Sequence, residues 1–270
     1  MTNVGYQVED SVGVIRLDRP EKLNAFTFEM IAEIRQAADM AAADEQVVGI
    51  VVTGAGRAFC AGLDTGDLAR SASGTAPEAE SASNVSDEEL PALFSHLLRI
   101  PKPVIAAVNG VAAGGGFVLA MMCDLRFAAA GASFTTAFSK RGLIAEHGTS
   151  WILPRLIGLS RALDLLWSAR RIDAAEALRI GFVDRVVPNE NLLDDAKAYI
   201  RDLATNVSPR SLAVMKMQIY RHSSLALGPA IRDADRLTHE SLAHPDATEG
   251  VKSFVERRPP RFARWKGGRI

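Results

Sequence analysis

The chain has 270 residues, 48% of them hydrophobic, and a formal net charge of −1, which allows a sizeable core in one domain or in a core with an appendage. The balanced charge and the lack of an arginine–aromatic pattern argue against a nucleic-acid binder, and every long apolar run is too short or too glycine-rich to cross a bilayer. The N-terminus has no basic stretch before an apolar core, so no signal peptide is expected, and Cys60 and Cys123 lack metal spacing and are expected as buried thiols, with a disulfide as the alternative. The expected compartment is the cytoplasm.

Val12–Leu17 reads as a strand, residues 20–25 as a turn, and a helix is expected from Thr27, whose hydroxyl can cap it. Phe28, Ile31, Ile34, Ala38 and Ala41 keep helical spacing, and residues 47–52 form the next buried strand. A glycine-bearing segment follows, Thr53-Gly54-Ala55-Gly56-Arg57-Ala58-Phe59-Cys60-Ala61-Gly62-Leu63-Asp64. It is not a dinucleotide fingerprint, because Phe59 stands where the third glycine belongs. Between residues 69 and 86 large apolar residues almost vanish, which predicts a mobile loop, either a lid or an exposed insertion.

Val104–Val108 is a wholly apolar run, the pattern of a strand covered on both faces, and Asn109-Gly110 is a turn signal. Gly114, Gly115 and Gly116 then precede an apolar helical segment. Glycines at a helix start let a ligand approach the main chain, where free N–H groups and the helix dipole favour negative charge; they serve close helix–sheet packing equally well. Leu125–Ala129 is another strand. A helix is expected to open at Ser160, Asp173 to Glu176 reads as a capping box closed by Gly181, and residues 183–187 form the last strand. Alternation of strand and helix predicts a mostly parallel α/β core. Beyond residue 190 the pattern is helical throughout, with helices expected over 192–203, from Ser208-Pro209, over 230–243 and over 248–256, so a boundary is placed between 1–190 and 191–270. The basic tail, including Lys252, Arg257, Arg258, Arg261, Arg264, Lys266 and Arg269, is either a solvated tail or a surface for phosphate.

Several segments together resemble the enoyl-CoA hydratase/isomerase, or crotonase, family. They are Asp18-Arg19-Pro20-x-Lys22-x-Asn24-Ala25, Ala58 to Asp64, Pro103 to Gly110 with the glycine triplet and Cys123-Asp124, Leu153 to Gly158, Ala175 to Val187, and Glu249-Gly250 to Phe262. The resemblance covers nearly the whole chain. It implies a spiral of ββα units with a helical C-terminal trimerisation region, a homotrimer or a hexamer made of paired trimers, and an acyl-CoA substrate. Coenzyme A enters only as part of that substrate, and no metal or other cofactor is implied. It also implies that the thioester oxygen accepts hydrogen bonds from the main chain of Leu63 and Gly115, with Gly62 and Gly114 beside them among the substrate-binding residues. Lys22, Ala25, Ala61 and Asp64 would line the coenzyme path, and Lys266 would meet its phosphates from a neighbouring subunit.

At the positions where hydratases of the family carry their two glutamates, this chain has Val118 and Phe138. Neither side chain can move a proton. Instead, the segment Gly142-Leu143-Ile144-Ala145-Glu146-His147-Gly148-Thr149 carries an acid where dienoyl-CoA isomerases of the family do, so Glu146 is the expected acid/base and His147 its orienter. The competing reading makes Glu146 a salt-bridge or capping residue, served by Arg141 or Arg155. One carboxylate suits double-bond migration; the alternatives are 2-enoyl-CoA hydration and non-catalytic acyl-CoA binding in the apolar pocket of Val118 and Phe138. His96 is expected to be structural, and Asp64 and Asp124 to fix turns.

Overall fold

A computed structural model describes residues 3–73 and 93–265. The first strands, β1 (Val4–Glu9) and β2 (Val12–Leu17), form an antiparallel hairpin, and helix α1 (Phe28–Ala43) begins where Thr27 accepts the Met30 N–H on its hydroxyl at 3.3 Å. Met30, Ile34, Ala37, Ala38 and Ala41 are the buried face of α1, so the stripe is rotated from the expected one and leaves Phe28 and Ile31 half-buried. Then follow β3 (Gly49–Gly54), β4 (Ala58–Cys60), α2 (Thr65–Ala72), β5 (Val104–Val108), β6 (Val111–Ala113), α3 (Gly115–Met121), β7 (Leu125–Ala129) and β8 (Ser133–Thr135). Next come α4 (Thr149–Ile157), α5 (Leu159–Ser168), β9 (Ile172–Asp173), α6 (Ala174–Ile180) and β10 (Arg185–Val187).

These strands build two sheets, ordered β1-β2-β3-β5-β7-β10 and β4-β6-β8-β9. All pairs are parallel except β1 with β2 and β8 with β9. From β3 to β8 successive strands therefore alternate between the large sheet and the small one, the spiral that the family resemblance implies. Between the sheets lies the core, with β5 wholly apolar because it is covered on both faces, and β7 apolar but for Arg126, which is buried against the Phe182 and Cys123 oxygens.

Several local expectations need correction. The third strand starts at Gly49 and the last at Arg185, two residues later than the apolar runs begin, because Val47, Val48 and Val183 are buried in the turns leading in. Residues 69–72, expected in a mobile loop, belong to α2; residues 74–92 lie outside the described residues. Ser160 does not open α5, which is capped by Gly158, and α4 before it was hidden by Gly148 and the internal Pro154. At α6 the capping half holds: Asp173 accepts the Glu176 N–H at 2.7 Å and Gly181 closes the helix with φ 87°. Glu176 does not bond back but pairs with Arg170 at 2.8 Å.

The remaining helices are α7 (Leu192–Asn206), α8 (Pro209–His222), α9 (Leu227–Leu242) and α10 (Pro245–Glu256). Helix α7 buries Leu192, Ala196 and Ile200, and packs on β3, β5 and β7; Ile200 leaves no room for a side chain at Gly49. Helix α8 starts as its sequence indicates, with Ser208 accepting the Ser211 N–H at 3.1 Å and Pro209 in the first turn. Among the described residues, no helix is long and apolar enough to cross a membrane.

Candidate active site

Two glycine-bearing strand ends lie side by side. Strands β4 and β6 pair in parallel, so the segment after Cys60 runs next to the segment after Ala113. At Gly62, with φ 102°, an added Cβ would stand 2.9 Å from the Ala113 oxygen and 3.5 Å from the Gly115 nitrogen. Gly114 has φ 52° and ψ −118°, a conformation open to glycine, and its N–H is held by Thr135 at 3.0 Å.

The Leu63 N–H is left free by the pairing around it. Phe26 bridges Leu63 in parallel, its N–H donating to the Gly62 oxygen and its oxygen accepting the Asp64 N–H, both at 2.9 Å. Leu63's own N–H therefore faces away from Phe26. Gly115 opens α3, where the first amides have no carbonyl a turn behind them. Neither N–H finds an acceptor among the described residues. Within the triplet Gly116 is a packing glycine, since a Cβ there would lie 2.1 Å from the Cys60 oxygen, while the Gly115 amide stays without an acceptor among the described residues.

Around this pair lie the residues expected along the coenzyme path. The Ala61 N–H donates to the Leu23 oxygen at 3.0 Å and the Ala25 N–H to the Lys22 oxygen at 3.0 Å, so Lys22, Ala25, Ala61 and Asp64 come together. The Lys22 side chain is exposed. Asp64 accepts the Gly66 N–H at the start of α2 and faces Arg19 at 3.3 Å; the Gly66 hydrogen bond, followed by Arg19, holds its carboxyl below the usual range. That makes it a turn-fixing residue. Behind it, the Cys60 sulfur accepts the Gly62 N–H at 3.4 Å, and burial pushes the Cys60 thiol, like that of Cys123, up to about 12. Both cysteines are free and buried.

Val118 is fully buried in the middle of α3, and Phe138 is buried where its oxygen accepts the Arg141 and Leu143 amides. This turn leads into the loop of Glu146, which closes with the Thr149 N–H donating to the Glu146 oxygen at 2.9 Å; beside it, a Cβ at Gly148 would stand 3.7 Å from Met122. Glu146 is half-buried, and its carboxylate has no hydrogen bond or ion pair among the described residues. Arg141 instead donates to the Ala137 oxygen, while Arg155 donates to the Trp151 oxygen and lies 3.7 Å from its ring centre. The salt-bridge reading of Glu146 thus loses both its candidates. His147, at φ 52°, is held below its usual pKa by burial of part of the ring, opposed by Glu146, although its side chain as a whole is exposed.

Some expectations fall elsewhere. Lys266 lies outside the described residues. In the basic tail Arg258 pairs with Glu249 and Glu256, both at 2.6 Å, and Arg264 donates to Ser11 at 2.9 Å, so part of that charge is already matched. A cleft of about 490 Å³ opens among α8, α9 and α10, lined by Ser208, Val214, Leu237 and Phe262, and none of the candidate site residues reaches it. The sequence left Phe26, Arg19 and Asn24 without roles. Fully buried Asn24, at φ 55°, donates to the Ala55 and Ala58 oxygens and accepts the Arg19 N–H, tying the turn before α1 to β3 and β4. The Asp18 to Ala25 motif was the only signal for it.

Fold and site define a mostly parallel two-sheet α/β protein with a pair of unbonded backbone donors at adjacent strand ends and, in the loop before α4, a carboxylate without a hydrogen bond or ion pair among the described residues. Residues 7–265 match the family described as enoyl-CoA hydratase/isomerase. The chain is 38% identical to the 1,2-epoxyphenylacetyl-CoA isomerase of Escherichia coli, covering 94% of this chain and 96% of that protein, and 36% identical to a probable enoyl-CoA hydratase of Rhodobacter capsulatus, covering 96% and 97%. A crystal structure of a probable enoyl-CoA hydratase/isomerase from Mycobacterium abscessus superposes with a TM-score of 0.86 at 31% identity, over 98% of this chain and 100% of that one. The chain belongs to the enoyl-CoA hydratase/isomerase family and is an enzyme of that family.

Proposed function

We propose that the protein moves a double bond in an unsaturated acyl-CoA, with Glu146 as the single acid/base and the Leu63 and Gly115 amides as the oxyanion donors. Glu146 takes a proton from a saturated carbon α to the thioester carbonyl, or γ to it through a conjugated double bond, the C–H electrons pass into the π system, and negative charge collects on the thioester oxygen. The same carboxyl then returns the proton to a different carbon. Donors aimed beforehand at that oxygen stabilise the enolate, each by about 3 kcal/mol. Lys22, Ala25, Ala61 and Asp64 follow the coenzyme, Gly62 and Gly114 hold the donor turns, and Val118 and Phe138 grip the acyl chain.

The observation that carries this reading is the unpartnered Glu146 carboxylate, in a chain with Val118 and Phe138 where a second acid would have to stand. The E. coli relative is named an isomerase of an epoxide-bearing acyl-CoA, which supports isomerisation as the reaction class. The hydratase name of the R. capsulatus relative favours a second reading, water addition to a 2-enoyl-CoA. Incubation with 2-enoyl-, 3-enoyl- and dienoyl-CoA esters, reading hydration and bond migration separately, decides between them. Bond migration that disappears in Glu146→Gln while acyl-CoA affinity survives is the expected result; hydration alone, or full activity in the variant, overturns the proposal, and affinity without turnover in the wild type points to a binding protein.

The reading extends to assembly. The chain divides near residue 190 into the spiral and a helical region, and α8 to α10 carry exposed Leu227, Ile231, Leu242, Val251, Phe254 and Val255, more apolar surface than a monomer needs. A homotrimer or hexamer would cover it. Two buried reduced thiols suit the cytoplasm.

A further inference from the structure

We infer that Phe26 is the positioning residue that sets the gap between the two oxyanion donors; this rests on the proposed roles of Leu63 and Gly115. The donors come from separate turns of the spiral, and an oxyanion pair works only when both N–H groups reach one oxygen at about 2.7–3.1 Å. Phe26 touches both. Its main chain brackets Leu63, bonding the Gly62 oxygen on one side and the Asp64 N–H on the other, each at 2.9 Å. Its ring abuts Gly115, where an added Cβ would come within 2.3 Å of Cζ and 3.0 Å of Cε1.

The ring itself has no freedom to swing. It is 1% exposed and meets Phe94 edge-on, with centroids 5.3 Å apart and planes at 83°. One rigid side chain thus runs from the strand edge that aims Leu63 to the helix start that aims Gly115. Gly115 lacks a Cβ because the ring occupies that space, so the first turn of α3 rests on Phe26 directly. Removing the ring lets this turn drift towards the gap, and displacements of this kind cost rate steeply when geometry is the source of catalysis.

The test uses a saturated acyl-CoA labelled with ¹³C at the carbonyl, whose resonance moves downfield when its oxygen is polarised by hydrogen bonds. The wild type is expected to show that shift, Phe26→Ala to lose most of it with acyl-CoA affinity nearly kept, and Phe26→Leu, which restores most of the bulk, to recover it. A merely structural Phe26 would lower the melting temperature without changing the bound carbonyl. Full shift in folded Phe26→Ala overturns the inference while leaving the proposed function standing. No shift in the wild type overturns both. Should Phe26→Ala not fold, Gly115→Ala is compared with Gly115→Ala/Phe26→Leu: the single variant is expected to lose the shift and the double to regain part of it, and a double no better than the single overturns the role of Phe26.

Discussion

The Lys216 ammonium lies 2.7 Å from the Asp124 carboxylate, joining α8 to the residue directly before β7. Lys216 also donates to the Leu97 and Lys102 oxygens, and Asp124 accepts the Tyr220 hydroxyl and the Val104 N–H. Burial lowers the Lys216 pKa, with Asp124 opposing it. Loss of one member of a buried pair leaves the other uncompensated, so Lys216→Met is expected to destabilise by about 3 kcal/mol. Tyr220→Phe, which removes one hydrogen bond, should cost about 1 kcal/mol. Urea unfolding checks both, and equal effects would contradict this ranking.

His96 makes stability depend on acid. Both its ring nitrogens are buried without a hydrogen-bond partner among the described residues, and burial, aided by Arg35 and opposed by Asp39, pushes its pKa from 6.5 down to about 4. The unfolded chain therefore binds a proton before the folded one does. Stability from this group is complete above 6.5 and is lost as the pH falls towards 4. His96→Leu should narrow the difference in melting temperature between neutral and mildly acidic buffer; an unchanged difference would exclude His96 as its source.

Gly62→Ala puts a methyl group beside the donors. At φ 102° a side chain is strained, and the Cβ would crowd the Ala113 oxygen at 2.9 Å. Expected are a loss of about 1–3 kcal/mol in stability and a fall in kcat/KM of about a hundredfold or more, as when an oxyanion donor is misdirected. A stable variant with wild-type turnover would remove this turn from the catalytic account.

Phe254→Glu tests the association surface. Phe254 is 84% exposed on α10, and a charge there should shift sedimentation towards the monomer while leaving the fold intact. An unchanged assembly would place the interface elsewhere.

Strands β2, β5 and β7 were legible to the residue, because strands covered on one or both faces write long apolar runs. Strands β4, β6 and β8 were not, since three residues carry no period. Strand β1 was missed because Gly5 and Gln7 blur its alternation. The same limit governed the site. Leu63 and Gly115 each stood out as strand ends rich in glycine, but their proximity depends on the pairing of β4 with β6, which has no local signature. Phe26 was silent altogether: an apolar residue between a motif and a helix cap gives no sign that its ring will fill the place of a missing Cβ on Gly115.

The pairing of β4 with β6 inside one sheet fixes a length scale for chemistry. Neighbouring strands stand about 4.8 Å apart, and hydrogen bonds of about 2.9 Å drawn from two points at that separation meet at an angle of about 110°, close to the spread of the lone pairs on a carbonyl oxygen. A two-donor cradle is thus a by-product of the ladder pitch wherever adjacent parallel strands end in free amides. With β4 and β6 paired, substitutions in the proposed acyl pocket at Val118 and Phe138 are expected to change which carbon loses its proton while leaving the proposed Leu63 and Gly115 donors in place.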